Sequence, residues 1–291
     1  MRLDIACGRL PETALELNFA DAHPGLSPEQ AALEADRCFY CYDAPCVEAC
    51  PTDIDIPRFI KAIASDNLAG ASRTILQSNI LGGSCARVCP TEILCEQKCV
   101  HTAIEAHHAV RIGALQRFAT DWQMQQKTHP FPRAASTGKR VAVVGAGPAG
   151  LACAHRLAMH GHDVTIFDRH DAPGGLNQYG VAAYKLADNF AQREIEFLME
   201  IGGITFQGNA TLGENITLAG LRETCDGVFL GLGLAGVRAL GLESEFAEGV
   251  LDAVDFIETL RSRNLSEVVV GRRVVVIGSG NTAVDAAVQA K

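Results

Sequence analysis

The sequence has no cluster of lysine and arginine residues and no long uninterrupted apolar run. Its 34 acidic side chains exceed 25 basic ones, a formal charge of -9, whereas nucleic-acid binders carry a basic surface. A membrane helix needs about 18 consecutive apolar residues, and the N-terminus lacks the basic and then apolar regions of an export signal. We therefore expect a cytoplasmic protein with no membrane and no nucleic-acid partner.

Cysteine, in contrast, is abundant and concentrated. The 291 residues are 48% hydrophobic and 20% charged, which excludes disorder and allows about two packed domains. Eight of the 11 cysteines lie between Cys38 and Cys99. Disulfides belong to oxidising compartments, so such clustering in a chain without an export signal indicates metal binding.

The first third of the chain has the pattern of an all-helical unit. Ser27, Pro28 and Gln30 form a helix start, with a capping hydroxyl, proline at the first helical position and a capping-box glutamine. Apolar residues then recur at helical spacing, namely Phe59, Ile60, Ile63, Ala64, Leu68, Ala71, Ile75 and Leu76. A Pro-, Ser- and Thr-containing stretch at 127–139 is typical of a linker.

Beyond that stretch the pattern changes to alternating strands and helices. A β-branched run at 141–144, a glycine-rich turn, a helix ending near Gly161 and an apolar run at 164–167 form a βαβ unit. We predict a helix at 188–200 and further strands at 204–206, 228–230 and 274–277. The fold class is therefore α + α/β, with a helical unit followed by a Rossmann-like parallel sheet.

The cysteines follow a ferredoxin-like spacing. Cys38, Cys41, Cys46 and Cys50 read CxxCx4CxxxC, and Cys89, Cys95 and Cys99 follow. Prolines follow Cys50 and Cys89, and a cysteine before proline typically ligates the second of two clusters. We therefore predict two [4Fe-4S] clusters, with structural zinc as the alternative. Of the remaining cysteines, Cys7, Cys85, Cys153 and Cys225 are expected to be small buried residues, with Cys85 as an alternative ligand. The expected solvated loop histidines are His101, His107 and His108.

The first glycine-rich turn has the dinucleotide-binding pattern. It follows a strand, opens a helix, and is followed by Asp168 at the end of the next strand, where a carboxylate holds ribose hydroxyls. Because Asp168 would repel a 2'-phosphate, FAD or NAD is favoured here over NADP. The residues of this turn are Gly145, Ala146, Gly147, Pro148, Ala149 and Gly150.

A second turn of the same kind begins after the run at 274–277. Since a hydride must pass between two dinucleotides, we assign FAD to the first turn and NAD(H) or NADP(H) to the second. The chain stops at Lys291, before the residue that would distinguish NAD from NADP, so we expect a truncated unit; the alternative is a short protein whose last strand joins the first sheet. The residues of the second turn are Gly278, Ser279, Gly280, Asn281 and Thr282.

The combined order of motifs resembles a known family. The segments CFYCYDAPCVEACP, GGSCARVCPTEILCEQKC, IGALQRF, VAVVGAGPAGLACA and GGLNQYG are similar to the flavin subunit of bacterial NAD-dependent dihydropyrimidine dehydrogenase, to the N-terminal half of the eukaryotic enzyme, and to the small subunit of glutamate synthase. The resemblance implies an electron-input oxidoreductase that takes a hydride from NAD(P)H onto FAD and passes single electrons through two [4Fe-4S] clusters. The implied recipient is a catalytic FMN/iron-sulfur partner chain that reduces uracil or thymine.

The resemblance also implies a set of site residues. The first cluster takes Cys38, Cys41, Cys46 and Cys99, and the second takes Cys50, Cys89, Cys95 and Gln116. Glutamate synthase subunits carry a carboxylate at the last position, so the glutamine favours the dihydropyrimidine branch. Near the flavin lie Gly174, Gly175, Leu176 and Lys185, where Lys185 replaces the usual arginine. No acid/base catalytic residue is needed.

Two rival functions remain open beside this one. A glutamate synthase small subunit would feed a glutamate-forming partner, and a zinc-stapled interaction module would be non-catalytic. The domains that we predict are an N-terminal extension (1–30), a helical iron-sulfur domain (31–126), a linker (127–139), the first part of an FAD domain (140–268) and a truncated NAD(P) domain (269–291).

Overall fold

The computed structural model describes residues 11–104, 108–126, 128–234, 236, 237, 240, 241, 243, 245 and 247–291. Its first unit is helical, with one short 3-10 helix (Thr91–Ile93) between its sixth and seventh α-helices. The helices of this unit are α1 (Glu12–Asn18), α2 (Pro28–Asp36), α3 (Pro45–Glu48), α4 (Ile56–Ala64), α5 (Leu68–Ser78), α6 (Gly82–Val88), α7 (Val100–Ile104) and α8 (Ile112–Met124). No helix in these ranges is both long and apolar enough to cross a membrane.

The second unit alternates strands and helices. Its elements are β1 (Arg140–Val144), α9 (Pro148–Met159), β2 (Asp163–Phe167), α10 (Leu176–Tyr179), α11 (Phe190–Met199), β3 (Ile204–Gln207), α12 (Leu218–Thr224), β4 (Gly227–Leu230), α13 (Ala253–Ser262) and α14 (Asn281–Gln289). The four strands form one parallel sheet in the order β3-β2-β1-β4. The predicted fold, a helical unit followed by a parallel α/β sheet, is confirmed.

The helical unit is organised around α4, whose apolar face lies in a core shared with α2, α5 and α8. Ser27 caps α2 as predicted, since the Gln30 backbone N–H donates to its hydroxyl (3.2 Å) and its own N–H donates to the Gln30 side chain (3.0 Å). Phe59 and Ile60 are fully buried. Most of the cysteines that were predicted as ligands pack at the edge of this core.

The prediction of a strand at 274–277 was wrong. The segment has no regular secondary structure, and the sheet of the described residues contains no strand beyond β4, so it does not join the first sheet either. Val275 and Ile277 are 84% and 71% exposed. A strand needs a hydrogen-bonded neighbour, and a β-branched sequence alone does not supply one.

The two units share a hydrophobic core. Leu76, Ile80 and Leu81 of the helical unit pack in one cluster with Val143 and Leu151 of the sheet unit. Part of the segment predicted as a linker also lies against the sheet unit; Arg133 pairs with Asp163 (2.5 Å) and the Ala134 N–H donates to the Met159 carbonyl (3.0 Å). Lys127, its first residue, lies outside the described residues.

A buried carboxylate fastens α11 to the start of α6. Glu194 is fully buried and accepts from the backbone N–H groups of Gly83 (2.8 Å) and Ser84 (2.9 Å) and from the Ser84 hydroxyl. Burial raises the pKa of Glu194 to about 7, against the lowering effect of these donors. The charged form is therefore less favourable in the folded protein than in the unfolded chain.

This shift predicts a pH-dependent stability. The contribution of Glu194 is complete below its unfolded pKa of 4.5 and is lost as the pH rises through about 7, amounting to about 3 kcal/mol at alkaline pH. Glu194→Gln keeps the hydrogen-bonding shape without the charge. We therefore expect the free energy of unfolding of this variant, measured by urea titration, to rise relative to that of the wild type as the pH increases from 5 to 8. The expected rise is about 3 kcal/mol.

The control is Glu196→Gln, an exposed change on the same helix. It should change stability by less than about 0.5 kcal/mol at any pH in this range. A constant difference between Glu194→Gln and wild type across the range would contradict the prediction.

Candidate functional site

The first glycine turn joins β1 to α9 and is packed too tightly for side chains at its two ends. Gly145 has a φ of +105°, and an added Cβ would lie 2.2 Å from the Gly231 carbonyl oxygen. At Gly150 a Cβ would lie 1.8 Å from the Gly145 oxygen. Beside Gly147, in contrast, the nearest atom to an added Cβ is 3.9 Å away. The middle glycine therefore leaves one open backbone face, as close approach of a pyrophosphate requires.

Asp168 stands at the end of β2, beside this turn. The Ala146 N–H donates to its Oδ2 (2.6 Å) and the His170 N–H to its Oδ1 (2.9 Å). These bonds fix the carboxylate next to the helix N-terminus and leave lone pairs for further donors. The structure thus brings the predicted acid and the predicted turn together.

The loop predicted to lie near the flavin is packed directly on the turn. The Gly174 N–H donates to the Ala146 carbonyl (2.9 Å). An added Cβ at Gly175, where φ is +51°, would lie 2.6 Å from the Gly147 Cα. Leu176, the first residue of α10, is 64% exposed.

The second turn leads from the segment 274–277 into α14. Gly278 has a φ of +140°, and Gly280 is the residue before the first turn of α14. Ser279, Asn281 and the neighbouring residues are exposed. This turn has the predicted loop-to-helix geometry, without the preceding strand.

Lys185 contacts α14, the helix that follows the second turn. Its ammonium group pairs with the Asp285 carboxylate (2.8 Å), and the Tyr184 hydroxyl donates to the other oxygen of that carboxylate (2.5 Å). Sequence reasoning missed Asp285. Its position on α14, five residues after Gly280, gave no signal because its partners come from the distant segment 180–187.

Four thiols converge at the first predicted cluster. Burial, with smaller contributions from the neighbouring thiols of Cys38, Cys99 and Cys41, raises the pKa of Cys46 to about 11. Burial and the thiols of Cys41 and Cys99 raise the pKa of Cys38. The electrostatic neighbours of Cys46 are therefore the three cysteines that the family resemblance assigned to its cluster.

The second group contains Cys50, Cys89 and Cys95. A hydrogen bond with Cys85, then burial, then the thiols of Cys85, Cys95 and Cys50 raise the pKa of Cys89. Burial raises the pKa of Cys95 to about 12, with contributions from Glu96 and Cys50. The predicted set of three cysteines thus lies together, with Cys85 beside it.

Gln116 belongs to the same neighbourhood. It is 6% exposed on α8, donates from Nε2 to the Gly82 carbonyl (2.8 Å), and hydrogen-bonds the Cys85 thiol. From the residues alone it resembled a surface position. The signal that would have placed it inside is the helical repeat of α8, because position 116 shares the buried face with 112, 119 and 123.

Other cysteines and histidines take different positions. Cys85, Cys153 and Cys225 are half-buried, and Cys7 and His107 lie outside the described residues. His108 is exposed as expected, but the expectation was wrong for His101. That ring is buried on α7, stacked on Phe39 at 4.2 Å, and its Nε2 lies 2.6 Å from the Arg37 carbonyl oxygen.

The donor sets fit the predicted cofactors. Neighbouring thiols that are half-buried or buried are suited to an iron-sulfur cluster, because metal binding converts them to thiolates and compensates their charge. In the described ranges no three His, Cys, Asp or Glu side chains are arranged to hold a single metal ion. A cleft lined by both Cys85 and Pro148 lies between the second thiol group and the first glycine turn.

Comparisons with known proteins agree with this arrangement. Residues 15–128 match the family described as dihydropyrimidine dehydrogenase domain II, 4Fe-4S cluster. Residues 139–291 match the family described as pyridine nucleotide-disulphide oxidoreductase. The predicted classes of cofactor, iron-sulfur, FAD and nicotinamide dinucleotide, are confirmed.

Individual relatives come from both branches that the motifs indicated. The chain is 38% identical over 264 residues to the NAD-dependent dihydropyrimidine dehydrogenase subunit PreT of Salmonella typhimurium, covering 91% of this chain and 63% of that protein. It is 36% identical over 280 residues to the glutamate synthase [NADPH] small chain of Escherichia coli, covering 93% and 59%. The chain thus spans less than two thirds of the length of these curated relatives.

Among solved structures, one similar protein is FprA of Mycobacterium tuberculosis in complex with NADPH. The identity is 30%, the TM-score is 0.45, and the match covers 51% of this chain and 35% of that one.

Proposed function

Because this chain belongs to the pyridine nucleotide-disulphide oxidoreductase family, matched over 139–291, we propose that it is the electron-input part of a dihydropyrimidine dehydrogenase. In this role bound FAD would accept a hydride from NAD(P)H, and two [4Fe-4S] clusters would supply single electrons to a catalytic FMN/iron-sulfur partner subunit that reduces uracil or thymine. The observation that carries the proposal is that two groups of half-buried or buried thiols and a dinucleotide turn belong to units joined by one shared core.

The residues divide into four groups by the cofactor that they would hold. The first cluster is held by Cys38, Cys41, Cys46 and Cys99, and the second by Cys50, Cys89, Cys95 and Gln116. FAD is held by residues 145–150, by Asp168 at its ribose and by residues 174–176, and the nicotinamide dinucleotide by residues 278–282. When bound, the flavin links the two-electron chemistry of the nicotinamide to the one-electron chemistry of the clusters.

The chain's own contribution is positioning and exclusion of water. The amide-rich start of α9 favours a negative pyrophosphate. Asp168 is fixed by two backbone donors, and it would accept from ribose hydroxyls and repel a 2'-phosphate. Gln116 donates from Nε2 to the Gly82 carbonyl and would supply its Oε1 to the second cluster.

The glutamate synthase small subunit is the second candidate, favoured by the 36% identity to that chain. The difference between the branches is at position 116, where a glutamine stands and glutamate synthase subunits typically carry a carboxylate. We therefore expect the dihydropyrimidine branch.

The test combines the purified protein with a dihydropyrimidine-forming FMN/iron-sulfur subunit from the same genome and follows NADH absorbance anaerobically. Uracil is expected to accelerate NADH oxidation, while glutamine with 2-oxoglutarate is expected to have no effect. A rate of NADH oxidation that does not change when uracil is added contradicts the proposal. Oxidation that requires glutamine, with a glutamate-forming subunit present, supports the second candidate instead.

A further inference from the structure

Asp285 connects two parts of the molecule that are far apart in sequence. One carboxylate oxygen accepts from the Tyr184 hydroxyl (2.5 Å) and the other from the Lys185 ammonium group (2.8 Å). The Asp285 side chain is only 8% exposed and that of Lys185 26%. Both oxygens of a nearly buried carboxylate are therefore occupied by donors from one short segment.

Each end of this connection lies close to a dinucleotide turn. On one side, Asp285 is in the second turn of α14, the helix that the second glycine turn opens. On the other side, Tyr184 and Lys185 follow α10, whose N-cap residue Gly175 packs on Gly147 of the first turn. The connection therefore joins the two turns by a short path through α10 and α14.

Further contacts hold the same region. The Tyr184 carbonyl accepts from the Ala22 N–H (2.9 Å), and α13, which packs on α14, holds α10 through Arg261, whose Nε donates to the Gln178 carbonyl (2.8 Å). The Asp285 contacts, in contrast, run directly from α14 to the segment 180–187. They are thus suited to fix the orientation of one element against the other.

A buried ion pair affects the relative orientation of its two elements more than it affects the free energy of unfolding. The cost of removing two charges from water offsets much of their attraction, so such pairs contribute little net stability while specifying one geometry. Hydride transfer, in turn, requires the reacting atoms to be about 3–3.5 Å apart, and a misplacement of about 1 Å costs on the order of 100-fold in rate. A contact that joins the elements following the two turns therefore bears on the distance between the reacting atoms.

We propose that Asp285 is a positioning residue that fixes the second dinucleotide turn against the flavin-side segment through Tyr184 and Lys185. This inference rests on the proposed function, in which a hydride passes between dinucleotides held at these two turns. Asp285 belongs to neither turn, so its removal slows flavin reduction and leaves most of the affinity for NADH.

The experiment compares Asp285→Asn with the wild-type protein. In stopped-flow measurements the rate of flavin bleaching by NADH should fall about 100-fold, while the Kd of NADH from a fluorescence titration should change less than about threefold, well under one tenfold step of affinity. In the nucleotide-free protein, amide hydrogen exchange at 281–289 should become faster, because α14 has lost its anchor.

Two further variants make the result specific. Tyr184→Phe keeps the ion pair and should give a rate between those of wild type and Asp285→Asn. Asp255→Asn, an exposed change on α13, should leave the rate, the Kd and the exchange unchanged. Because Tyr184→Phe removes a single hydroxyl, it tests the proposal even if Asp285→Asn does not fold.

The outcomes separate the two proposals. Wild-type flavin that NADH fails to bleach contradicts the proposed function. The positioning role alone is overturned if NADH bleaches the wild-type flavin but neither Asp285→Asn nor Tyr184→Phe changes the rate of bleaching or the amide hydrogen exchange. Equal losses of rate and NADH affinity also overturn it, because they indicate a binding residue or general unfolding.

Discussion

Replacing Cys46 with alanine is expected to remove one of two clusters, reducing the content from about eight to about four iron atoms per chain. The reason is that the thiols of Cys38, Cys41 and Cys99 all raise the pKa of Cys46. Removal of Cys46 therefore takes one ligand from this group of thiols and leaves the other group intact. Cys89→Ala should remove the other cluster, because its thiol neighbours are Cys85, Cys95 and Cys50. Iron and sulfide analysis of anaerobically purified protein measures both.

The matched control is Cys225→Ala. Cys225 is half-buried beside the small core of β1 and α12, so this variant should keep its full iron content. The double variant Cys46→Ala, Cys89→Ala should retain less than about one iron atom per chain. Full iron content in Cys46→Ala, or loss of iron in Cys225→Ala, would refute the assignment of thiols to two groups.

Gly147→Ala is expected to abolish FAD binding without unfolding the chain. Its φ of -77° and ψ of -178° are available to alanine, and the nearest atom to the added Cβ is 3.9 Å away, an ordinary contact. The methyl group would nevertheless occupy the open face on which the pyrophosphate approaches the backbone. We expect flavin content to fall below about a tenth of wild type, while the unfolding free energy of the flavin-free protein changes by less than about 1 kcal/mol, the centre of the range for single substitutions.

Gly280→Ala is the matched variant at the second turn. Gly280 has nothing within 4 Å of an added Cβ and a φ of -79°, so this variant should keep FAD and weaken NADH binding instead. Gly145→Ala should unfold the turn, because its Cβ would lie 2.2 Å from a backbone oxygen. Flavin at wild-type stoichiometry in Gly147→Ala would contradict the assignment of FAD to the first turn.

Features with a local sequence cause were predicted well. The cap at Ser27, the strand β1 followed by its turn, and the position of Asp168 beside it each depend on residues close together in the chain or on a familiar βαβ unit. The grouping of Cys46 with Cys99 came from the family resemblance, because spacing alone leaves several pairings open.

Features that depend on distant partners were missed. Glu194, His101 and Asp285 are polar residues whose burial is compensated by donors or acceptors from other segments. A sequence pattern assigns such residues to the surface, since unpaired buried charges are costly. The error at 274–277 has the same origin, because strand formation depends on a neighbouring strand rather than on β-branched residues alone.

The most direct test of the central claim is a visible spectrum of the anaerobically purified protein before and after NADH is added, with iron, sulfide and zinc measured on the same sample. The account predicts about eight iron and eight sulfide per chain with broad absorption near 400 nm, as two [4Fe-4S] clusters require, and bleaching of the spectrum by NADH. Stoichiometric zinc without sulfide, in a colourless protein, would contradict the account and support a structural metal module.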